Sequence, residues 1–273
     1  MDFKAALVLL LAACVPAAAG EYLLSHPYWQ LPASTAAVTG SLPGLVAGEL
    51  LEYDIYWGVV KVGHSYLSID GAVDISSRPA WHIVSEAHST SFIENFYRVD
   101  DRNEAWMDAA DLSSYGYYKK VSEGKHFFNE WVVFDAANKR FYGGKMNKKK
   151  QVSGFEGALE TSVNDVLSAI YRLRAMQIEP GGLVEMNVNT KRNWRLSIKA
   201  GKKREKVSTG FGKRKCLVFE PKVGEEGLFA AKKGKRMLVW ITDDELKLPM
   251  ILKAEIFIGS VTAKLVRRTL KKP

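Results

Sequence analysis

The chain has 273 residues, 47% hydrophobic and 25% charged, with a net charge of +9 and two cysteines. That composition suffices for a packed core, and after the N-terminus no stretch reaches the roughly 18 apolar residues of a membrane-spanning helix. There is no C-x-x-C, H-E-x-x-H, G-x-S-x-G or Walker-type loop, so motif-borne redox, zinc, hydrolase and nucleotide chemistry have no support.

Residues 1–19 read as an export signal. Lys4 gives a positive start, and Ala5 to Ala13 is an unbroken apolar run too short to span a membrane. Two processing routes fit. Ala17-Ala18-Ala19 before Gly20 suits signal peptidase, whereas Leu11-Ala12-Ala13-Cys14 has the form of a lipobox, in which 1–13 is removed and Cys14 lipidated. Both routes place the protein in the periplasm or anchored in the envelope. Either way Cys216 has no internal partner, and its apolar strand context predicts a buried structural thiol.

Residues 20–47, rich in Ala, Pro, Ser, Thr and Gly, read as a linker or strap, and residues 48–270 as one β-rich domain. Alternation is clear at Leu51, Tyr53, Ile55 and Trp57 and again at Val62, His64, Tyr66 and Ser68, with Gly58 and Gly63 marking a bend or bulge. WHIVSEAHST is a strand, and SFIENFYRVDD starts as a helical turn and returns to strand. NEAWMD, SSYGYYKKVSEG, KHFFNEWVVFD and NKRFYGGKM continue an antiparallel meander.

One long amphipathic helix, about residues 162–177, interrupts the series. Val163, Val166, Leu167, Ile170, Leu173 and Met176 recur at helical spacing, Ser162 is placed to cap the start, and Pro180-Gly181-Gly182 ends the segment. Beyond it LVEMNVNT, NWRLSIKA, EKVSTG, KCLVFEP, RMLVWITDD, LPMILKAEIFIG and VTAKLVRRTL resume the strands. The predicted architecture is mainly β: a strongly curved antiparallel sheet or open β-barrel packed around that helix.

Candidate chemistry is sparse. His82 and His88 share a strand face, which suits structural roles better than metal or acid–base work. Asp100-Asp101 and Asp243-Asp244 are adjacent carboxylates; neighbours on a strand point to opposite faces, and the second pair sits where a turn is expected. No metal and no cofactor are expected.

Charge is more informative. Residues 1–140 hold 10 Lys+Arg against 17 Asp+Glu (−7), and residues 141–273 hold 29 against 13 (+16). Four basic clusters fall at or beside predicted hairpin turns: Lys148-Lys149-Lys150, Lys202-Lys203-Arg204, Lys213-Arg214-Lys215 and Lys232-Lys233-Gly234-Lys235-Arg236. Singly, each is a solvated loop; together they suit an anionic partner. Export disfavours nucleic acid and points to acidic lipid, lipopolysaccharide or an envelope polymer. Six tryptophans, at 57, 81, 106, 131, 194 and 240, fall within predicted strands; they fill a core or line a cleft for an apolar ligand. Asp165 and Arg174 are the helix polar residues of note, read as a cap and a surface charge.

GELLEYDIYWGVVKVG, NDVLSAIYRLR, VWITDDELKLPM and EIFIGSVTAKL occur in the order that resembles DUF3108, a bacterial envelope family of unknown function, over residues 48–268. The Asp165, Leu167-Ser168, Tyr171 and Arg174 pattern and the Trp240 to Pro249 turn carry most of that likeness. It implies an exported antiparallel β domain with one main helix, and it brings no established catalytic residues. A sheet wrapped on a helix looks like the carriers of the LolA and LolB type, which is a fold analogy. The leading expectation is a non-enzymatic protein that binds or carries a lipid-like or glycolipid molecule. The alternatives are an assembly factor that binds another envelope protein and, third, a glycan-acting enzyme.

Overall fold

The computed structural model describes residues 33–35, 42–75, 78–222, 236–256 and 258–271. Fifteen strands form one sheet: β1 Ala33–Thr35, β2 Glu49–Trp57, β3 Val60–Ile75, β4 Arg78–Ser89, β5 Asp100–Asp108, β6 Ser114–Glu123, β7 His126–Asp135, β8 Arg140–Asn147, β9 Val152–Ala158, β10 Leu183–Asn189, β11 Asn193–Thr209, β12 Gly212–Lys222, β13 Met237–Thr242, β14 Pro249–Glu255 and β15 Ser260–Leu270. A short helix α1, Ser91–Glu94, lies between β4 and β5, and α2, Val166–Ala175, between β9 and β10.

The strand order is β10 to β15, then β2 to β9, antiparallel throughout, with β1 beside the far half of β3. Along the path from β10 to β9 each neighbour in the sheet is also a neighbour in sequence except where β15 meets β2. The last and first hairpins therefore close the meander back to back. β9 and β10 are the two edges, and the sheet is not closed between them. Residues 159–165 bridge the gap instead. Asn164 exchanges backbone hydrogen bonds with Asn187 and Asn189, and Asn193 donates to the Ala158 carbonyl at 2.7 Å. α2 touches β4, β5 and β10, which are far apart in the strand order, so the sheet curls around it.

Strand alternation sends Leu51, Tyr53 and Ile55 of β2, Leu67 and Ile69 of β3 and Ile83 and Ala87 of β4 to the inner face, where they join Tyr171 and Leu173 of α2 in the main core. A second cluster, with Trp106, Tyr118, Trp131 and Val133, lies on the outer face of β5 to β7. The tryptophans thus divide between the two faces.

The expected long helix is corrected to the ten residues of α2. Val163 and Asn164 cannot be helical because their backbones serve the sheet: the Val163 carbonyl accepts from Ser114 N, and Asn164 bridges to Val188. The cap moves with the start. Asp165, rather than Ser162, accepts from Leu167 N (2.8 Å) and Ser168 N (3.2 Å). Met176 is already extended. Gly58 forms the β2–β3 turn with φ +58°, and the bulge of that hairpin lies beside Gly63.

Candidate functional site

The helix is positioned by its polar residues. Asp165, Ser168, Tyr171 and Arg174 recur every third position, and all four are buried. At the N-terminal end, Ser114 Oγ donates to Asp165 at 2.7 Å, which ties the cap to β6. At the other end Arg174, expected at the surface, has no exposed area at all. Its Nη2 lies 2.7 Å from Glu49 Oε2, and Nε and Nη2 donate to the carbonyls of Lys247 (3.0 Å) and Leu246 (3.3 Å). Arg268 braces the same Glu49 at 2.8 Å. Three separated segments, the start of β2, α2 and the β13–β14 turn, therefore meet at one guanidinium. They are the segments that carry the sequence resemblance, and here their work is structural. Within that turn Asp244 accepts from Thr242 Oγ1 and Leu246 N, so the Asp243-Asp244 pair shapes a turn, as expected.

Between α2 and the inner face of β3 to β8 lies a cavity of about 290 Å³. Val166, Leu167 and Ile170 of the helix and Leu252 of β14 form its apolar side. The facing wall is polar. Ser85, Asn103, Lys119, Glu130, Lys145 and Ser153 stand directly opposite one another across β4 to β9, one residue per strand. A polar row on an inner face is unusual, because desolvated charge needs partners. Of the two readings of the tryptophans, the core fits Trp81, Trp106 and Trp131, which are buried in the hydrophobic clusters, whereas the rings on the cavity wall are Tyr53, Tyr66, Tyr117 and Phe128.

Glu130 is the anchor of the row. It accepts from Lys191 Nζ at 2.8 Å and from Tyr117 OH at 3.0 Å. Burial would raise its pKa, but Lys119 and Lys191 outweigh burial and hold it below the usual carboxylate range. Lys119 sits 4.7 Å over the Tyr117 ring and Lys145 3.6 Å over Phe128. Burial lowers the pKa of both lysines, against the pull of Glu130.

At the same wall Asp101 is pushed up to about 8 by burial and by Glu123 beside it. Asp100, its sequence neighbour, faces out toward His88 and Lys120 at 3.7 Å each, so the two point apart as expected. On the outer face His82 Nε2 lies 2.8 Å from Glu104, which Arg102 also holds, and stacks on Trp106 at 5.1 Å. That is a satisfied structural histidine. Burial pushes the Cys216 thiol up to about 12, which leaves it inert. Among the described residues no His, Cys, Asp and Glu group could hold a metal, and no helix is long and apolar enough to cross a membrane.

The basic clusters separate. Antiparallel connection puts the β2–β3, β4–β5, β8–β9, β10–β11 and β14–β15 turns at one end of the sheet. Lys148, Lys149 and Lys150 lie there, and Arg236 just precedes β13. Lys213, Arg214 and Lys215 begin β12 at the opposite end. Lys202, Lys203 and Arg204 sit inside β11 at a bulge, not at a turn, and Arg204 is paired with Asp243. Cys14, Lys232, Lys233 and Lys235 lie outside the described residues, as do both processing sites. The first end also carries Val59, Phe92, Phe96 and Ile258, all largely exposed. The cavity lies toward it: Asp101 and Phe128 are near the starts of β5 and β7, and Lys191 is in the β10–β11 turn.

Lys119, Glu130, Lys145 and Lys191 were not singled out by sequence reasoning. A signal was there: in Tyr117-x-Lys119-x-Val121 and Phe128-x-Glu130-x-Val132 a charge occupies the inward position of an otherwise apolar alternation. Lys191, in a turn, gave none.

No curated protein matches the chain. Among solved structures it is similar to a β-barrel-like protein of the DUF1849 domain from Brucella abortus, at 9% identity and TM-score 0.51, over 85% of this chain and all of that one. That likeness is one of fold alone. It also aligns, at TM-score 0.30, with a Bacteroides fragilis protein of YmcC-like fold proposed to be exported (10% identity, 84% of this chain, 98% of that one). A third match is a Parabacteroides distasonis protein proposed to be a lipoprotein (8%, 84% and 97%, TM-score 0.30). Residues 52–266 match the model described as "Protein of unknown function (DUF3108)", and the chain belongs to that family.

Proposed function

We propose that this is a non-enzymatic protein of the cell envelope that binds or carries a lipid-like or glycolipid molecule. The observation that carries the reading is the cavity of about 290 Å³, with the apolar side of α2 facing a charged strand row. A polar head would meet the row and a chain would lie along Val166, Leu167 and Ile170. The exposed Val59, Phe92, Phe96 and Ile258 at the same end as Lys148, Lys149 and Lys150 support contact with an anionic membrane there. The apolar run at residues 5–13 supports export.

A glycan-acting enzyme fits less well. Its two carboxyls stand apart across the scissile bond, at separations of about 5–10 Å. Asp101 and Glu123 instead lie beside each other as one interacting pair.

The test is native mass spectrometry of protein exported by a native-like host. A retained ligand of lipid mass is expected, along with the mature N-terminus that decides the fate of Cys14. A ligand-free protein that takes up no lipid-like fluorescent probe would remove the proposal.

A further inference from the structure

Two lysines on the cavity wall have no counter-ion of their own. Among the described residues neither Lys119 Nζ nor Lys145 Nζ has a hydrogen bond or an ion pair, yet both flank Glu130 in direct register. Each is held instead over an aromatic ring, at 4.7 Å and 3.6 Å. The ring contact offsets only part of the cost of taking an ammonium out of water with no counter-charge. Natural proteins hold such groups where a ligand supplies the missing charge.

Lys119, Lys145 and Lys191 share the recess with four acidic residues, Asp101, Glu104, Glu130 and Asp165. Asp101 accepts from Ser122 N at 2.6 Å and is pushed up to about 8 by burial and Glu123. The Asp165 carboxylate is occupied by Ser114 and two helix N–H groups. Glu104 reaches the outer face, where His82 and Arg102 hold it. Tyr117 and Lys191 hold Glu130, so an incoming anion meets Lys119 and Lys145 with their donors free.

We propose that Lys119, Lys145 and Lys191 form a site for a phosphate-type oxyanion group inside the cavity, with Glu130 setting the spacing of the three ammonium groups. This deepens the lipid-binding reading and rests on it: the anion would be the head group and the helix side of the cavity would take the chain. Inorganic phosphate shares the chemistry and is separated by the test.

Isothermal titration calorimetry of the exported full chain uses three probes: monomeric dihexanoylphosphatidate, neutral dihexanoylglycerol with the same chains, and inorganic phosphate. One phosphatidate per chain is expected, bound more tightly than the neutral lipid. Lys119→Met and Lys145→Met are each expected to weaken phosphatidate by about tenfold or more and to leave dihexanoylglycerol unchanged. Glu130→Gln is expected to tighten both anions, an inverse effect that loss of packing would not produce. Melting curves check that each variant folds, and both Met variants are expected to melt no lower than the parent.

Phosphatidate affinity within about twofold of the parent in both Met variants would overturn the site and leave the lipid reading intact. Phosphate binding as tightly as phosphatidate, with no uptake of dihexanoylglycerol, would keep the anion site and overturn the lipid reading. If neither anion binds, the proposal fails.

Discussion

Glu49→Gln is the most informative single change for the fold. Glu49 and Arg174 have no exposed side-chain area, and their closest atoms are 2.7 Å apart. The substitution leaves a buried guanidinium with two carbonyl acceptors and no counter-charge. Removing one partner of a buried pair costs about 3–5 kcal/mol. For a chain of this size, that corresponds to a fall in Tm on the order of 10 °C. Arg268→Gln is the control. Its side chain is 15% exposed and Glu49 keeps Arg174, so a loss of about 1 kcal/mol is expected. The double variant Glu49→Leu, Arg174→Met removes both charges and is expected to recover most of the single-variant loss. Urea and thermal unfolding followed by circular dichroism measure all three. Glu49→Gln melting within a few degrees of the parent, or a double variant no better than the single, would refute the clamp.

Three further outcomes are expected. The Asp101–Glu123 pair has a raised folded pKa, about 8 for Asp101, so its contribution is complete below about pH 4 and is lost as pH rises toward 8; unfolding free energy should fall over that window, and Asp101→Asn should flatten the fall. Gly48 has φ +76° and a Cβ there would strike the Lys271 carbonyl oxygen, so Gly48→Ala should cost about 2 kcal/mol or more in urea unfolding, against about 1 for Gly58→Ala, whose Cβ meets open space. Replacing Lys148, Lys149 and Lys150 by Gln should weaken binding to vesicles containing phosphatidylglycerol by about a hundredfold at low salt, with no effect on neutral vesicles.

Much of the β framework was legible. The inward series Leu51-Tyr53-Ile55 and the outward His82 and His88 follow from a period of two, and Gly58 announced its turn. The helix was legible only in part. Its apolar spacing extends from Val163 to Met176, but Val163 and Asn164 are claimed by β6 and β10, partners distant in sequence. Arg174 misled for the same reason. A cation in the last turn of an amphipathic helix is ordinarily solvated, and its counter-charge, Glu49, lies far away along the chain. The cavity was hidden because no local window contains it.

Period, turn residues and the placement of charge decided that this chain makes an antiparallel meander with one main helix, since those signals act within a few residues. Strand order and curl decided the rest. They alone set Lys119, Glu130 and Lys145 side by side from three strands, brought Lys191 over the open edge, and buried Arg174 against Glu49, because those juxtapositions depend on register between segments that sequence proximity does not join.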